Sequence, residues 1–415
     1  MSFSLRISVI GLIALMLSGA GHVHAQYSDD WAHIPNSETF DVVTWNIEWF
    51  GDANNGPTDT ELQYNNVLSV IFNLQPDLLA LQEIVNRDQF QRLINDLDGY
   101  SGFITNYSQS QQVGFIYNTE TVDSLFSNLI DSDKGQSSYA WAGRFPLEFV
   151  IQAHIGNSSR IIYTVAIHAK ARSDAESYDR RVTASRDIKA YFDQSVTPHS
   201  PLIFLGDYND DVIRSIRGTF FDSPYKNFLD DPDYTIITEP LSLKAAESWK
   251  RGTSAGSMID HITVNHHLHD YWLQGSEMVH VPDYISDFSN TTSDHRPVYA
   301  RFDLTGTLNL TSADPEGDSS GGRDAPGRTE LLGNYPNPFN PVTVIPFHLQ
   351  ESSRITLSVY NALGQRVDRP ISETQYRAGT HSVSFNAENL PSGFYFYRLE
   401  DDSGWSQTRK MILVK

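Results

Sequence analysis

Polar residues suited to metal and phosphate chemistry stand in a fixed relation to apolar runs along this chain. Asn46 follows VVTW, Glu83 follows DLLALQ and His168 follows IIYTVAI. Asp207 and Asn209 follow PLIFLG in the string GDYND, Asp260 lies inside SMIDHITV, and Asp294-His295 sits in TTSDHRPV just before the last run. A phosphodiester is anionic and shields its phosphorus from attack. A hard, oxygen-liganded cation such as Mg²⁺ neutralises that charge and stabilises the oxyanion, and carboxylates and amides are its natural ligands. One carboxylate or histidine must activate water, and either Asp207 or a His295–Asp260 pair has the chemistry for it. Arginine adds a charge-assisted phosphate clamp.

The elements that must position these groups are legible as short runs bounded by polar and Gly/Pro punctuation: VVTW (42–45), DLLALQ (77–82), VGFIY (113–117), IIYTVAI (161–167), PLIFLG (201–206), IDHITV (259–264) and PVYARF (297–302). Such runs predict strands buried on both faces. Between them, Thr58-x-x-Glu61 reads as a capping box ahead of Leu62, Val67, Leu68, Ile71 and Leu74 at helical spacing. Phe90, Leu93, Ile94 and Leu97 form a second stripe, and Ala184, Ile188, Tyr191 and Phe192 a third, with Arg180, Arg181 and Arg186 on its polar side. The mixture predicts a layered α/β domain, a sheet sandwich with outer helices. Strands of one sheet end close together, so residues distant in sequence converge there. Each piece alone has an ordinary reading: Glu83 as a surface partner of Arg87, His168 as a half-buried core histidine. The histidines His261, His266, His267, His269 and His280 lack an acidic partner to complete a metal set and read as a loop and strand face.

The chain has 415 residues, 30 Lys+Arg against 51 Asp+Glu, a net charge of −21 and no cysteine. Disulfides, cysteine zinc sites, iron–sulfur clusters and thiol nucleophiles are therefore excluded. Residues 1–25 read as a signal peptide, with an apolar run over 7–17 and the small-x-small string Val23-His24-Ala25. That run is too short for a membrane span, which needs about 20 residues. Residues 26–311 form the large unit. Residues 312–330 read as a flexible Gly/Ser/Pro/Asp-rich linker, and 331–415 as a small all-β sandwich with the strings VTVIPF, RITLSVY, HSVSF, GFYFYRLE and KMILV. The large unit holds 19 basic and 39 acidic residues and so carries nearly all the charge. That balance excludes tight clamping along a long duplex by a broad basic face.

The ordered set TWNIEWF, LLALQEI, GRFP, IHAKA, GDYND, MIDHITV and SDHRPV resembles the successive motifs of the endonuclease/exonuclease/phosphatase family, with its DNase I-like fold. The resemblance implies a four-layered α/β sandwich and a divalent metal, usually Mg²⁺, with Mn²⁺ or Ca²⁺ as alternatives, that cleaves phosphodiester or phosphomonoester bonds. It implies Glu83 as the main metal-ligating residue, Asn46 placing metal and phosphate, and Glu48 and Asp294 as further acids at the metal. Asp207 and Asn209 match the pair that orients water and phosphate. His295 matches the active-site histidine, Asp260 the carboxylate that orients it, Arg144 a phosphate contact and His168 the second histidine of the DNase-like branch. One departure stands out: where such members carry a carboxylate to pair with that second histidine, this chain has Gln111 and Gln112. A neutral amide does not hold an imidazolium, so His168 is expected to donate to phosphate rather than act as an acid.

The strings LLGNYPNPFNPVTVIPF, VYNALGQRV, LPSGFYFYRLE and KMILVK resemble the C-terminal sorting domain of type IX secretion cargo. The resemblance implies passage across both membranes by that machinery, removal of the module, and release or anchoring at the cell surface. The expectation is a secreted, metal-dependent nuclease acting on extracellular DNA or RNA, monomeric and without a stable membrane span. A second expectation is the same chemistry on sphingomyelin or inositol phosphates, which calls for an exposed apolar hairpin from Trp49-Phe50 or Phe220-Phe221. A third is a surface-binding protein that has lost catalysis.

Overall fold

The structure, a computed structural model, describes residues 36–306 apart from 107–109, 198–199 and 252–254, and residues 329–413 apart from 333, 335–338, 340, 362–364 and 392. The expected leader, and the expected linker as far as residue 328, lie outside the described residues. In chain order the large unit runs β1 (Phe40–Phe50), α1 (Thr60–Leu74), β2 (Leu78–Ile84), α2 (Arg87–Asp96), β3 (Tyr100–Ile104), β4 (Gln112–Asn118), β5 (Val122–Leu129), β6 (Leu147–Ile155) and β7 (Ser158–His168). It continues through α3 (Ala175–Ser195), β8 (Leu202–Asp207), β9 (Tyr234–Ile236), β10 (Asp260–Asn265), β11 (Met278–Val279) and β12 (Val298–Phe302).

The strands form two six-stranded sheets, ordered β11-β12-β1-β2-β4-β3 and β5-β6-β7-β8-β10-β9. Each contains one parallel pair, β1 with β2 and β7 with β8, among antiparallel neighbours. A parallel pair needs a crossover, which α1 and α3 supply. Alternation along β1 sets the layering. Val42 faces the core between the sheets with Leu78, Ala80, Phe149 and Ile203. Val43 and Trp45 face outward against Val67 and Ile71 of α1 and Leu93 of α2. On the far side Val165 and Phe204 pack on Ile188 and Phe192 of α3. Four layers result, helix–sheet–sheet–helix, with each fully buried Val, Leu, Ile or Phe contributing about 1.5–3 kcal/mol.

Two local expectations shift. The cap of α1 is Asp59, whose carboxylate accepts the Leu62 N–H at 2.9 Å, not Thr58. Glu61 does not reach back to the cap because both its oxygens accept from Arg92 at 2.7 Å. Strands β5 and β6 fall between the apolar runs that were expected. On β6, Glu148 interrupts the run yet is buried against Lys134 at 2.8 Å, while β5 is an edge strand with exposed polar residues.

Past the linker come β13 (Glu330–Leu331), β14 (Val342–Leu349), β15 (Ser353–Asn361), β16 (Arg366–Tyr376), β17 (Gly379–Asn386), β18 (Gly393–Asp401) and β19 (Ser406–Leu413). They pair as two antiparallel sheets, β13-β14-β17 and β16-β15-β18-β19, around a core that includes Phe347, Leu357, Val359 and Tyr397. Glu330, at the end of the expected linker, already belongs to β13. Among the described residues no helix is long and apolar enough to cross a membrane.

Candidate active site

The parallel pairs point their C-terminal ends at one end of the sandwich, where Asn46 Nδ2 on β1 donates to Asp207 Oδ2 on β8 at 3.0 Å. Ligands gather at such strand ends. The backbone there is unusual. Glu48, Trp49, Glu83 and Asn209 have φ of 41°, 48°, 62° and 51°, a left-handed conformation that costs a non-glycine residue roughly 1–3 kcal/mol. The register of β1 against β2 shifts between Asn46 and Phe50, and α1 braces this bulge through buried Gln63. Its Nε2 donates to the carbonyls of Ile47, Glu48 and Thr292 at 3.0, 2.8 and 3.1 Å. Gly206 has no substitute: an added Cβ would lie 2.2 Å from the Ile167 carbonyl oxygen, so only glycine lets β8 run against β7 and deliver Asp207.

Every residue expected at the site is brought to this end. Glu83 accepts from Asn46 Nδ2 at 3.2 Å and from the Trp49 N–H at 3.1 Å. Asn209 folds back on Asp207, its N–H on Oδ1 at 2.8 Å and its Nδ2 on Oδ2 at 2.9 Å. His295 Nδ1 bonds Asp260 Oδ2 at 2.8 Å, which turns Nε2 toward Asp207 Oδ2, 3.9 Å away. His168 Nε2 lies 3.5 Å from Glu83 and 3.6 Å from Asp207. Glu48 accepts the Asp294 N–H at 2.9 Å. Arg144 donates to Gln111 Oε1 at 2.8 Å and to the Ala169 carbonyl at 2.9 Å. The glutamine that departs from the family pattern therefore holds Arg144, not His168, whose buried Nδ1 has no hydrogen-bond partner among the described residues. Arg87 bonds the Thr105 carbonyl and Gln112, leaving Glu83 to the cleft.

Burial and the neighbouring Asp294 push Glu48 up to about 7 against the pull of Arg251, and burial likewise raises Glu83. Burial lifts Asp207 to about 7, with His295 opposing. For His295 burial acts downward, but Asp260 and Asp207 outweigh it and hold the imidazolium well above its ordinary range. Burial, then Arg144 and His295, keep His168 neutral. Acids crowded out of water with too little positive charge are what a divalent cation relieves. Asp207, Asp260 and His295 offer ligand atoms within 4.8 Å of one another and could hold a metal ion. Asp260 and His295, however, are committed to each other. Among the described residues the oxygens of Glu83 each accept a single hydrogen bond, which leaves lone pairs for a cation beside Glu48 and Asp294.

Three residues at the site carried no sequence signal of their role. Arg251 pairs with Glu48 and lies 3.3 Å from Asp294. Trp249 Nε1 donates to Asp294 Oδ2 at 2.9 Å. Trp45 Nε1 donates to the His295 carbonyl at 2.9 Å. The histidines read as a loop and strand face gather into no metal set among the described residues. His261 is buried against Thr238 and Met258, His267 bonds the Thr197 carbonyl, and His280 faces Tyr284.

Solved structures of similar architecture include humanized D. rerio TDP2 carrying 14 mutations, 16% identical over 64% of this chain and 99% of that chain, TM-score 0.46. The human Nocturnin catalytic domain with bound sulfate anion is 17% identical over 64% of this chain and 93% of its own, TM-score 0.45. An endonuclease/exonuclease/phosphatase from Bacteroides vulgatus is 16% identical over 63% and 98%, TM-score 0.47. No curated protein matches the chain. Residues 334–415 match the secretion system C-terminal sorting domain, which marks the chain for export by type IX secretion to the cell surface or extracellular space. Residues 43–295, spanning every strand end that carries the cleft, match the Endonuclease/Exonuclease/phosphatase family, and the chain belongs to that family of hydrolases.

Proposed function

We propose that the protein is a secreted, Mg²⁺-dependent phosphodiesterase that hydrolyses extracellular nucleic acid. The observation that carries this reading is the Asp260–His295 pair facing Asp207 across 3.9 Å, beside the crowded acids Glu83, Glu48 and Asp294. Glu83, Glu48 and Asp294, with Asn46, would hold the cation, which when bound offsets the charge of the phosphate and stabilises the oxyanion. The space between His295 Nε2 and Asp207 Oδ2 admits one oxygen in hydrogen-bond contact with both, either the attacking water or a phosphoryl oxygen. Water adds its oxygen to phosphorus and its proton passes to the Asp207 carboxylate, because His295, held as the imidazolium, has no free nitrogen lone pair. The ester P–O bond breaks, and the leaving alkoxide takes up a proton. Asn46 and Asn209 fix the Asp207 carboxylate, Asp260 fixes the imidazole, and neutral His168 with Arg144 supplies donors to the phosphate. Domain limits of 26–311 for the hydrolase and 331–415 for the sorting module accompany this reading.

The test is a substrate panel: the purified full chain with plasmid, RNA, sphingomyelin and bis(p-nitrophenyl) phosphate, each with Mg²⁺ or EDTA. Cleavage of nucleic acid and of the small diester in Mg²⁺ alone is expected. Hydrolysis confined to sphingomyelin would replace the substrate class, and activity in EDTA would overturn the metal requirement.

A further inference from the structure

In a unit with 39 acidic and 19 basic residues, unpaired cations gathered beside the cleft stand out. Leaving the site from Ala169, whose carbonyl both Arg144 and Asn209 hold, the chain displays Lys170 and Arg172 before α3 begins. Arg172 is exposed and has φ of 86°, a strained turn for a non-glycine residue. The buried Arg181–Asp210 ion pair, 2.8 Å, braces it: Arg181 Nη1 donates to the carbonyls of Lys170 and Arg172, each at 2.7 Å. Buried machinery is thus committed to presenting two surface cations. Asp210 also accepts the Ile216 N–H at 2.7 Å and so ties the following turn to this brace. There Arg217 lies 4.2 Å over the ring of Phe221 and 5.4 Å over that of Tyr178, and those rings meet edge to face at 5.5 Å. Phe220, the following tip, is 98% exposed. Among the described residues, Lys170, Arg172 and Arg217 make no ion pair. Lys170 is held below its usual range by partial burial and then by Arg180, Arg144 and Arg172, with Asp174 opposing.

We propose that Lys170, Arg172 and Arg217, with Tyr178, Phe220 and Phe221, form a platform for a single-stranded nucleic-acid segment leading away from the scissile phosphate. This rests on the phosphodiesterase reading and narrows its substrate. Unpaired cations track a phosphate backbone, and an exposed ring takes a base by stacking, which requires a base face that a duplex hides. The acidity of the rest of the unit opposes a second row of backbone contacts of the kind a tight duplex clamp needs, and the platform stays local to one strand. Phe220, beside a Phe221 packed on Arg217 and Tyr178, offers little apolar area for entry into a bilayer.

The experiment uses the full chain in EDTA, so that nothing is cleaved, and measures anisotropy of a labelled oligothymidylate, with a duplex of equal length and phosphatidylserine vesicles as the other arms. The wild type should bind the single strand more tightly than the duplex. Phe220→Ala should weaken single-strand binding at least about fivefold. Arg172→Ala and Arg217→Ala should each lower the salt slope by about 0.7. Mg²⁺-dependent turnover of bis(p-nitrophenyl) phosphate, too small to reach the platform, should be unchanged in all three. Variants that bind the oligonucleotide like the wild type, or that lose vesicle binding while keeping the oligonucleotide, would overturn the platform. Failure of the wild type to turn over the small diester would instead overturn the phosphodiesterase reading.

Discussion

At the end of the sandwich opposite the cleft, Asp41 on β1 and Asp77 just ahead of β2 are both buried, and so is Arg301 on β12. Arg301 Nε bonds Asp41 at 3.1 Å and Thr39 donates to the same oxygen at 2.7 Å, while Asp77 accepts the Asp41 N–H at 2.7 Å and the Thr121 hydroxyl. At the cleft end, Glu48, Glu83, Asp207 and Asp294 are also withdrawn from water, and the cations beside them are the His295 imidazolium, tied to Asp260, Arg144, tied to Gln111, and Arg251, which is largely exposed. The first cluster closes on its own chain: one arginine, several hydroxyl and amide donors, and one carboxyl that can keep its proton. The second is left open. Burial of carboxylates therefore does not by itself mark a site; what marks it is the shortage of fixed positive charge beside them.

The largest test of that contrast removes one member from each end. Glu83→Ala and His295→Asn should lower Mg²⁺-dependent phosphodiester hydrolysis by about 10²–10⁴, the usual worth of a positioned acid–base or ligand group. Glu83→Ala should also melt no lower than the wild type, since it lifts the burial cost of a carboxylate. Arg301→Leu should do the reverse. It strands buried Asp41 and should cost about 3–5 kcal/mol in denaturant unfolding, with hydrolysis per folded molecule unchanged.

Smaller effects sharpen the same point. Mg²⁺ at one hundred times its dissociation constant should stabilise the wild type by about 2.7 kcal/mol in thermal or denaturant melts. The gain should vanish in Glu83→Gln and persist in Asp77→Asn. The smallest effect is in pH. Burial and the Asp41 charge raise Asp77 to about 7 in the folded chain, above its ordinary 3.8. The folded state then binds the proton more tightly than the unfolded, so this contribution is full below the ordinary value and is lost as pH rises through about 7. In EDTA, the wild type should gain at most about 1.4 kcal/mol between pH 7 and pH 6 from this group. Asp77→Asn should lack that component, as paired unfolding curves at the two pH values will read.

The strand ends were legible because β1, β2, β7, β8 and β10 are largely apolar runs, each with a chemical residue toward its cleft end: Asn46, Glu83, His168, Asp207 and Asp260. Order along the chain added the rest of the set. Gln63, Trp249 and Arg251 were not legible, because their roles exist only across the fold. Gln63 braces a bulge made by β1 and a loop near residue 292, and Arg251 meets Glu48 from 203 positions away. Gln111 was legible as a departure, but its partner was not. Without coordinates nothing distinguishes an amide facing His168 from one facing Arg144. Strand β6 was obscured because its buried polar residue, Glu148, is compensated by Lys134, a tertiary ion pair invisible to periodicity.

The most direct measurement is hydrolysis of a plain phosphodiester by metal-stripped full-length protein on add-back of Mg²⁺, run side by side for the wild type, Glu83→Gln and Asp77→Asn. Restored turnover in the wild type and Asp77→Asn, with none in Glu83→Gln, is the predicted result. Turnover in Glu83→Gln equal to the wild type would contradict the assignment of the cleft-end acids to the cation.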